Sequence, residues 1–285
     1  MNASQLSCIV TGAARGIGRA TALRLLSEGA SVALWDRDRD ALDSLTEELR
    51  SAVYPPARAT AVVCDVTDAD NRRNALERTA EHFGKINGLI NNAGTFVPGN
   101  FRDVPLERRR LEIELNFVSV VELTYEVLPY LQVHDSAILV NVASAAAYAG
   151  APGLAVYSAT KSAVWMFTEG LRNEAYAAGR RNVHFASVHP NFVREGLFAG
   201  AHLGGIGQVF FPSVKRHDDV ARAIVRRAIR RRRNVVSIPF SLRGAVLFRG
   251  ILPDALFARL SRVFGLHSSM RDWKGERDRR GEEEA

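Results

Sequence analysis

Seven short apolar runs punctuate the chain: "SCIVTG" (7–12), "SVALWD" (31–36), "TAVVCDV" (60–66), "NGLINNAG" (87–94), "SAILVNVAS" (136–144), "VHFASVHP" (183–190) and "NVVSIP" (234–239). They are apolar nearly throughout instead of alternating, as strands covered on both faces should be. Between them, residues 16–28, 39–51, 68–83, 105–131 and 155–178 have the length and apolar spacing of helices. Gly29 falls where the first helix should stop. Strand–helix alternation without a repeat or a linker predicts an α/β fold, a single doubly wound domain over residues 1–240 with about seven parallel strands.

Two regions break the rhythm. Residues 194–216 are glycine-rich and apolar together, which suits a mobile flap over an apolar site. Residues 241–265 predict two amphipathic helices split at Pro253, a C-terminal extension of the domain reaching 266. The remainder, 267–285, is polar and charged and is expected to be disordered.

A composition of 47% hydrophobic and 24% charged residues belongs to a globular chain. No apolar run approaches the 18 or so residues that cross a bilayer, and the early start of the first strand leaves no room for a signal peptide. Cys8 and Cys64 are the only cysteines, both in strand-like runs, so a reducing, cytoplasmic setting is expected. The net charge of +7 is concentrated in "RAIVRRAIRRRR" (222–233). Ala221, Ile224, Val225, Ala228 and Ile229 keep an apolar stripe there, so the arginines read as a solvated face and nucleic acid is not the expected partner.

The first strand runs into "VTGAARGIG", which opens the first helix. Gly12, Gly16 and Gly18, with Arg15 and Ile17 between them, form a turn that lets backbone approach a pyrophosphate at a helix N-terminus. Asp36 ends the second strand, where a carboxylate accepts from ribose hydroxyls and repels a 2′-phosphate. Arg15 and Arg37 pull the other way, but a direct ribose contact outranks flexible neighbours, so NAD is favoured over NADP. Asp65, Val66 and the Asn92-Ala93-Gly94 segment end the third and fourth strands on the same edge. No metal site is expected.

Ser144 ends the fifth strand, thirteen residues before Tyr157, and "YSATK" places Lys161 one helical turn after the tyrosine. Lysine there stands out in a chain with only four lysines. Asn116 sits midway along the 105–131 segment, where a buried polar side chain needs a reason.

"TGAARGIG", "NNAG", Asn116, Ser144 and "YSATK", in this order and spacing, resemble the short-chain dehydrogenase/reductase family over residues 5–240. The resemblance implies a Rossmann-type fold, a homodimer or homotetramer, and hydride exchange with a nicotinamide dinucleotide. It implies that Tyr157 is the general acid/base and that Lys161 lowers its pKa and binds the nicotinamide ribose. Ser144 would bond the substrate oxygen, and Asn116 would position a water that relays protons from Lys161. Pro190 and Val193 fall where the family contacts the carboxamide; Asn191 and Glu195 stand where it usually has glycine and threonine, and Glu195 could still accept from the amide nitrogen.

Small residues after Ser144 (Ala145, Ala146, Ala147), together with Phe96, Val97, Leu154 and the 197–211 flap, predict an apolar pocket. The expected substrate is a bulky apolar secondary alcohol or ketone of lipid, steroid or retinoid type. The rival reading is a non-catalytic dinucleotide-sensing or scaffold protein on the same fold. The 241–265 helices could close the pocket, pack across a dimer, or make peripheral membrane contact.

Overall fold

A computed structural model describes residues 2–51, 58–271 and 273 of the chain. All seven apolar runs form strands: β1 (Ser7–Thr11), β2 (Ser31–Asp36), β3 (Ala59–Val63), β4 (Gly88–Asn91), β5 (Ala137–Val142), β6 (Val183–Pro190) and β7 (Val235–Ile238). They make one sheet in the order β3-β2-β1-β4-β5-β6-β7, parallel throughout. The order reverses between β1 and β4, and a crevice opens beyond the carboxyl ends of the strands at such a switch point.

The helices among the described residues are α1 (Gly16–Ser27), α2 (Arg39–Ser51), α3 (Ala69–Phe83), α4 (Leu106–Ile113), α5 (Ser119–Gln132), α6 (Ala155–Ala177), α7 (Gly205–Phe210), α8 (His217–Ala223), α9 (Leu242–Ile251) and α10 (Asp254–Val263). One face of the sheet buries Val10, Leu34 and Val140 against Leu25 of α1, Leu45 of α2 and the Val220–Ile229 stripe. The other buries Ile9, Trp35 and Leu139 against Leu76 of α3 and Leu123, Val127 and Leu131 of α5. With helices on both faces the strands have no solvent side, so their continuous apolarity follows.

The 222–233 arginines lie on the outside of that buried stripe. Arg222 pairs with Asp218, Arg230 with Glu28, and Arg227 donates to the Ser237 carbonyl.

Three expectations need correction. Residues 105–131 are not one continuous α-helix: Glu114–Val118 forms a π-helical turn between α4 and α5. Within it the Asn116 side chain grips the backbone of Thr95, Oδ1 accepting from its N–H and Nδ2 donating to its carbonyl, both at 2.8 Å. The widened turn keeps this polar side chain paired in the interior, as π-bulges at functional sites do. The 194–216 flap is not all loop, since it holds α7. Nor is the start of the 267–285 tail unstructured: Leu266–Ser268 makes a 3-10 turn, Met270 packs inward, and Trp273 donates to the Leu197 carbonyl at 3.1 Å. The rest of that segment lies outside the described residues.

Candidate active site

The glycine-rich turn is shaped by close approach. A Cβ on Gly18 would lie 1.9 Å from the Gly12 carbonyl oxygen and 2.6 Å from Asn92 Nδ2, so only glycine lets α1 start against β1. The Asn92 side chain donates to the carbonyls of Thr11 (2.9 Å) and Gly12 (3.2 Å), and Thr11 Oγ1 accepts from the N–H groups of Asn92 and Ala93 at 3.0 Å. Strand β4 therefore clamps the turn from behind. The start of α1 is left to present unpaired N–H groups to an anion.

Beside the turn, Asp36 accepts from the N–H of Ala14 at 3.0 Å and of Asp38 at 3.1 Å. Arg15 reaches Asp38 at 2.5 Å on the exposed rim. Arg37, Asp65 and Val66 complete this end of the crevice, and Asp65 Oδ1 accepts from the Thr67 hydroxyl at 2.7 Å.

A cavity of about 1000 Å³ runs from here to the second half of the site. Of the residues singled out in the sequence, Gly12, Gly16, Ile17, Ala93 and Gly94 line it on the nucleotide side. Ser144, Tyr157, Lys161, Pro190 and Val193 line it on the other. Gly18 and Asn116 stand behind the wall. Phe96 is also behind it, packed on Tyr157 with ring centroids 5.9 Å apart, and Val97 is buried beside it; neither lines the pocket as the sequence suggested.

Ser144 follows β5 by two residues and caps the short Ala145–Ala147 turn, its Oγ accepting from the Ala146 N–H at 3.1 Å. One turn of α6 separates Tyr157 from Lys161, and both are buried. Burial pushes the Tyr157 phenol up to about 12; its side-chain hydrogen bond with Ser144 pulls down and the Glu112 carboxylate pushes further up. Lys161 donates from Nζ to the Val142 carbonyl at 3.0 Å, and the Nζ stands 5.8 Å from the Tyr157 ring centre. Burial lowers its ammonium to about 8, with Glu112 acting upward. Burial is the largest influence on the phenol here and works against the acidification that the resemblance implies for Lys161. Gly94 leaves the space between, where a Cβ would come 3.0 Å from Asn116 Oδ1 and 3.3 Å from Lys161 Nζ.

Below the site lies a buried pair that sequence reading missed. Glu112 accepts from the Val97 N–H at 3.1 Å, while Arg109 donates to the carbonyls of Val97, Gly99 and Asn100. Under Ser144, His189 Nδ1 lies 3.2 Å from the Ser144 carbonyl and its ring stacks on Tyr148 at 4.8 Å. Burial pushes His189 down to about 4, so it is neutral and donates to that carbonyl. A histidine inside an apolar strand was the available signal.

The family departure also has a structural explanation. Glu195 is already engaged: its carboxylate accepts from the His217 N–H at 3.0 Å and stands 3.1 Å from His217 Nδ1. Both contacts use Oε2, which leaves Oε1 of this crevice-lining carboxylate to accept from an amide nitrogen. Asn191, in place of glycine, donates to the carbonyls of Phe211 (2.9 Å) and Pro212 (3.2 Å) and ties down the base of the flap. His217 itself lines the crevice within 4 Å of where a Gly16 Cβ would be.

Beyond Tyr157 the walls are apolar: Leu154, Phe198, Leu203 and Phe211 come from the core and flap, and Phe248, Leu252, Phe257 and Leu260 from α9, α10 and the turn between them. Among the described lining residues no arginine reaches this end, and Lys161 is the only lysine. No group of three or more His, Cys, Asp or Glu among the described residues could hold a metal ion.

The chain is similar to known proteins. The chain is 35% identical over 191 residues to a 3-oxoacyl-(acyl-carrier-protein) reductase of Thermotoga maritima, covering 65% of this chain and 73% of that one. It is 28% identical over 260 residues to 11-beta-hydroxysteroid dehydrogenase 1A of Arabidopsis thaliana, covering 87% and 72%. A short-chain dehydrogenase/reductase of Burkholderia phymatum, solved in complex with NAD, superposes with a TM-score of 0.75 at 26% identity over 85% of this chain and 92% of that one. The model of the short chain dehydrogenases matches residues 7–201, and with the glycine-rich turn, Ser144, Tyr157 and Lys161 around one crevice the chain belongs to the short-chain dehydrogenase/reductase family, an oxidoreductase fold.

Proposed function

We propose that the protein interconverts a bulky apolar secondary alcohol and its ketone, with NAD in preference to NADP as the hydride carrier. The observation that carries this reading is one cavity with two chemistries. A buried phenol whose proton affinity Ser144 lowers stands between a glycine-rich anion turn and an apolar chamber. The hydroxysteroid dehydrogenase relative points the same way.

The residues fit a nicotinamide dinucleotide: backbone N–H groups at α1 suit its pyrophosphate, and Asp36 suits a ribose diol. When bound, that group supplies or takes up the hydride. The chain's own residues do the rest. Ser144 Oγ and the Tyr157 hydroxyl together fix the substrate oxygen. A protonated phenol gives its proton to a carbonyl oxygen as that oxygen gains charge. Lys161, charged below about pH 8, favours the phenolate left behind by its proximity. Asn116 contributes by holding Thr95 and the strand end against Gly94. The protonated phenol is the form that ketone reduction uses, and the phenolate the form that alcohol oxidation uses. Preference for NAD is supported by Arg15 being held by Asp38, away from a 2′-phosphate. Exposed Tyr125, Val133 and Tyr176 suit a homodimer or homotetramer.

The test is Tyr157→Phe, assayed with a panel of apolar ketones and titrated with NADH by fluorescence. Turnover should fall about 10² to 10⁴-fold with NADH affinity unchanged. Undiminished turnover ends the mechanism. A wild type that binds NADH yet reduces no ketone, and oxidises no alcohol, supports the dinucleotide-sensing reading instead.

A further inference from the structure

The last two helices contribute little to the core. Only Leu242 of α9 is buried, and no residue of α10 is. Their apolar residues fall into two sets. Phe248, Leu252, Phe257 and Leu260 line the cavity, whereas Leu247, Ile251, Leu256 and Val263 point outward and are between 44 and 69% exposed. Phe248 belongs to both, lining the cavity while 51% exposed, so the cavity mouth opens on this surface. The apolar surface continues onto α7, where Phe210 packs on Phe264 with centroids 5.9 Å apart and Val209 is 77% exposed. Exposed apolar residues grouped on neighbouring helices call for a partner.

Charge identifies the partner. Residues 240–265 carry Arg243, Arg249, Arg259 and Arg262 against a single acid, Asp254. Arg243 lies over the Phe240 ring at 5.3 Å and Arg249 over Phe257 at 4.8 Å, so the cations sit among the exposed apolar groups. A second copy related by a two-fold axis would set this positive patch against itself, which like-charge repulsion disfavours. An anionic lipid surface satisfies both features: acyl chains take the apolar side chains and headgroups take the arginines. No described helix is long and apolar enough to cross a membrane, so the contact is peripheral.

We propose that α9 and α10, with the tip of α7, dock the protein on an anionic bilayer, the cavity mouth facing the lipid. Delivery of substrate through that mouth rests on the apolar-substrate reading above; docking does not. The experiment is therefore run without substrate or dinucleotide. Full-length protein is co-sedimented with phosphatidylcholine vesicles, with and without about 30 mol% phosphatidylglycerol, in low salt and in about 0.5 M NaCl. Binding is expected to the anionic vesicles, weakened at least about tenfold by omitting phosphatidylglycerol or adding salt. Leu247→Glu/Ile251→Glu should weaken it at least about tenfold. Arg259→Gln/Arg262→Gln should erase most of the preference for anionic lipid. Circular dichroism and thermal unfolding of each variant show that it is folded. The proposal is overturned if wild type stays in the supernatant with both vesicles, or if folded Leu247→Glu/Ile251→Glu binds undiminished. It is also overturned if that variant instead halves the mass of the soluble assembly, which would assign the face to a second copy.

Discussion

Glu112 and Arg109, one turn apart on α4, face each other at 3.4 Å with both side chains out of contact with water. The pair anchors the 97–100 backbone and places a carboxylate under the active site. That carboxylate raises both the Tyr157 phenol and the Lys161 ammonium. Glu112→Gln leaves Arg109 buried without its counter-charge and should cost about 3 to 5 kcal/mol in urea unfolding, since breaking a buried pair strands the other ion. In enzyme that remains folded, the alkaline limb of the ketone-reduction profile should move to lower pH, because the group holding Lys161 charged is gone. An unmoved limb would separate Glu112 from the proton chemistry.

Lys161 gives a stability signature that needs no substrate. Burial lowers its pKa from 10.5 to about 8, so between those values the unfolded chain binds a proton that the folded one has released. Stability from this group therefore rises with pH from about 8 to 10.5 and is flat below. Tyr157 acts oppositely from 10 to about 12, and Cys8 and Cys64 from 9 to about 12. The difference between wild type and Lys161→Met cancels those contributions. Melting temperatures across pH 7 to 10 should show the variant relatively more stable at the acid end, with its advantage shrinking above pH 8.

The glycine turn makes a steric prediction. Gly18→Ala places a methyl 1.9 Å from the Gly12 carbonyl, so α1 must shift off β1. Overpacking of this kind costs about 1 to 3 kcal/mol, and the displaced helix start should also lose most NADH affinity. Gly170 in α6, where a Cβ meets nothing within 4 Å, is the control. Gly170→Ala should stabilise by about 0.5 to 1 kcal/mol and leave binding alone.

These sites differ in how legible they were. The seven strands follow from apolar runs, because a strand covered on both faces has nowhere to put a polar residue. The glycine turn, Ser144, Tyr157 and Lys161 were legible because local spacing alone carries them to strand ends and one helix face. The π-helical turn at Asn116 was not, since its cause is the backbone of Thr95, 21 positions away. The contact of Glu195 with His217, 22 positions on, was not legible because the two come near only through packing. Trp273 sits in a polar stretch whose composition hides one residue that docks on Phe96 at 5.5 Å. The Arg109–Glu112 pair was hidden in "ERRRLEIE", where charge density reads as a solvated helix face.

Dinucleotide choice rests on a small cluster at the end of β2. Asp36 keeps its carboxylate at the crevice while accepting from Ala14 and Asp38 N–H groups, and Asp38 holds Arg15 at 2.5 Å. A 2′-phosphate entering here would meet the anion first and find one of its two candidate cations already paired. Wild type should bind NADH at least about tenfold more tightly than NADPH, about 1.4 kcal/mol. Removing both anions in Asp36→Ala/Asp38→Ala frees Arg15 to join Arg37, so the ratio should reverse. The gain for NADPH should shrink as salt rises, because both arginines reach the phosphate from the exposed rim. Fluorescence titrations of both dinucleotides at two salt concentrations decide it: a wild type that prefers NADPH would show that Arg37 outweighs Asp36.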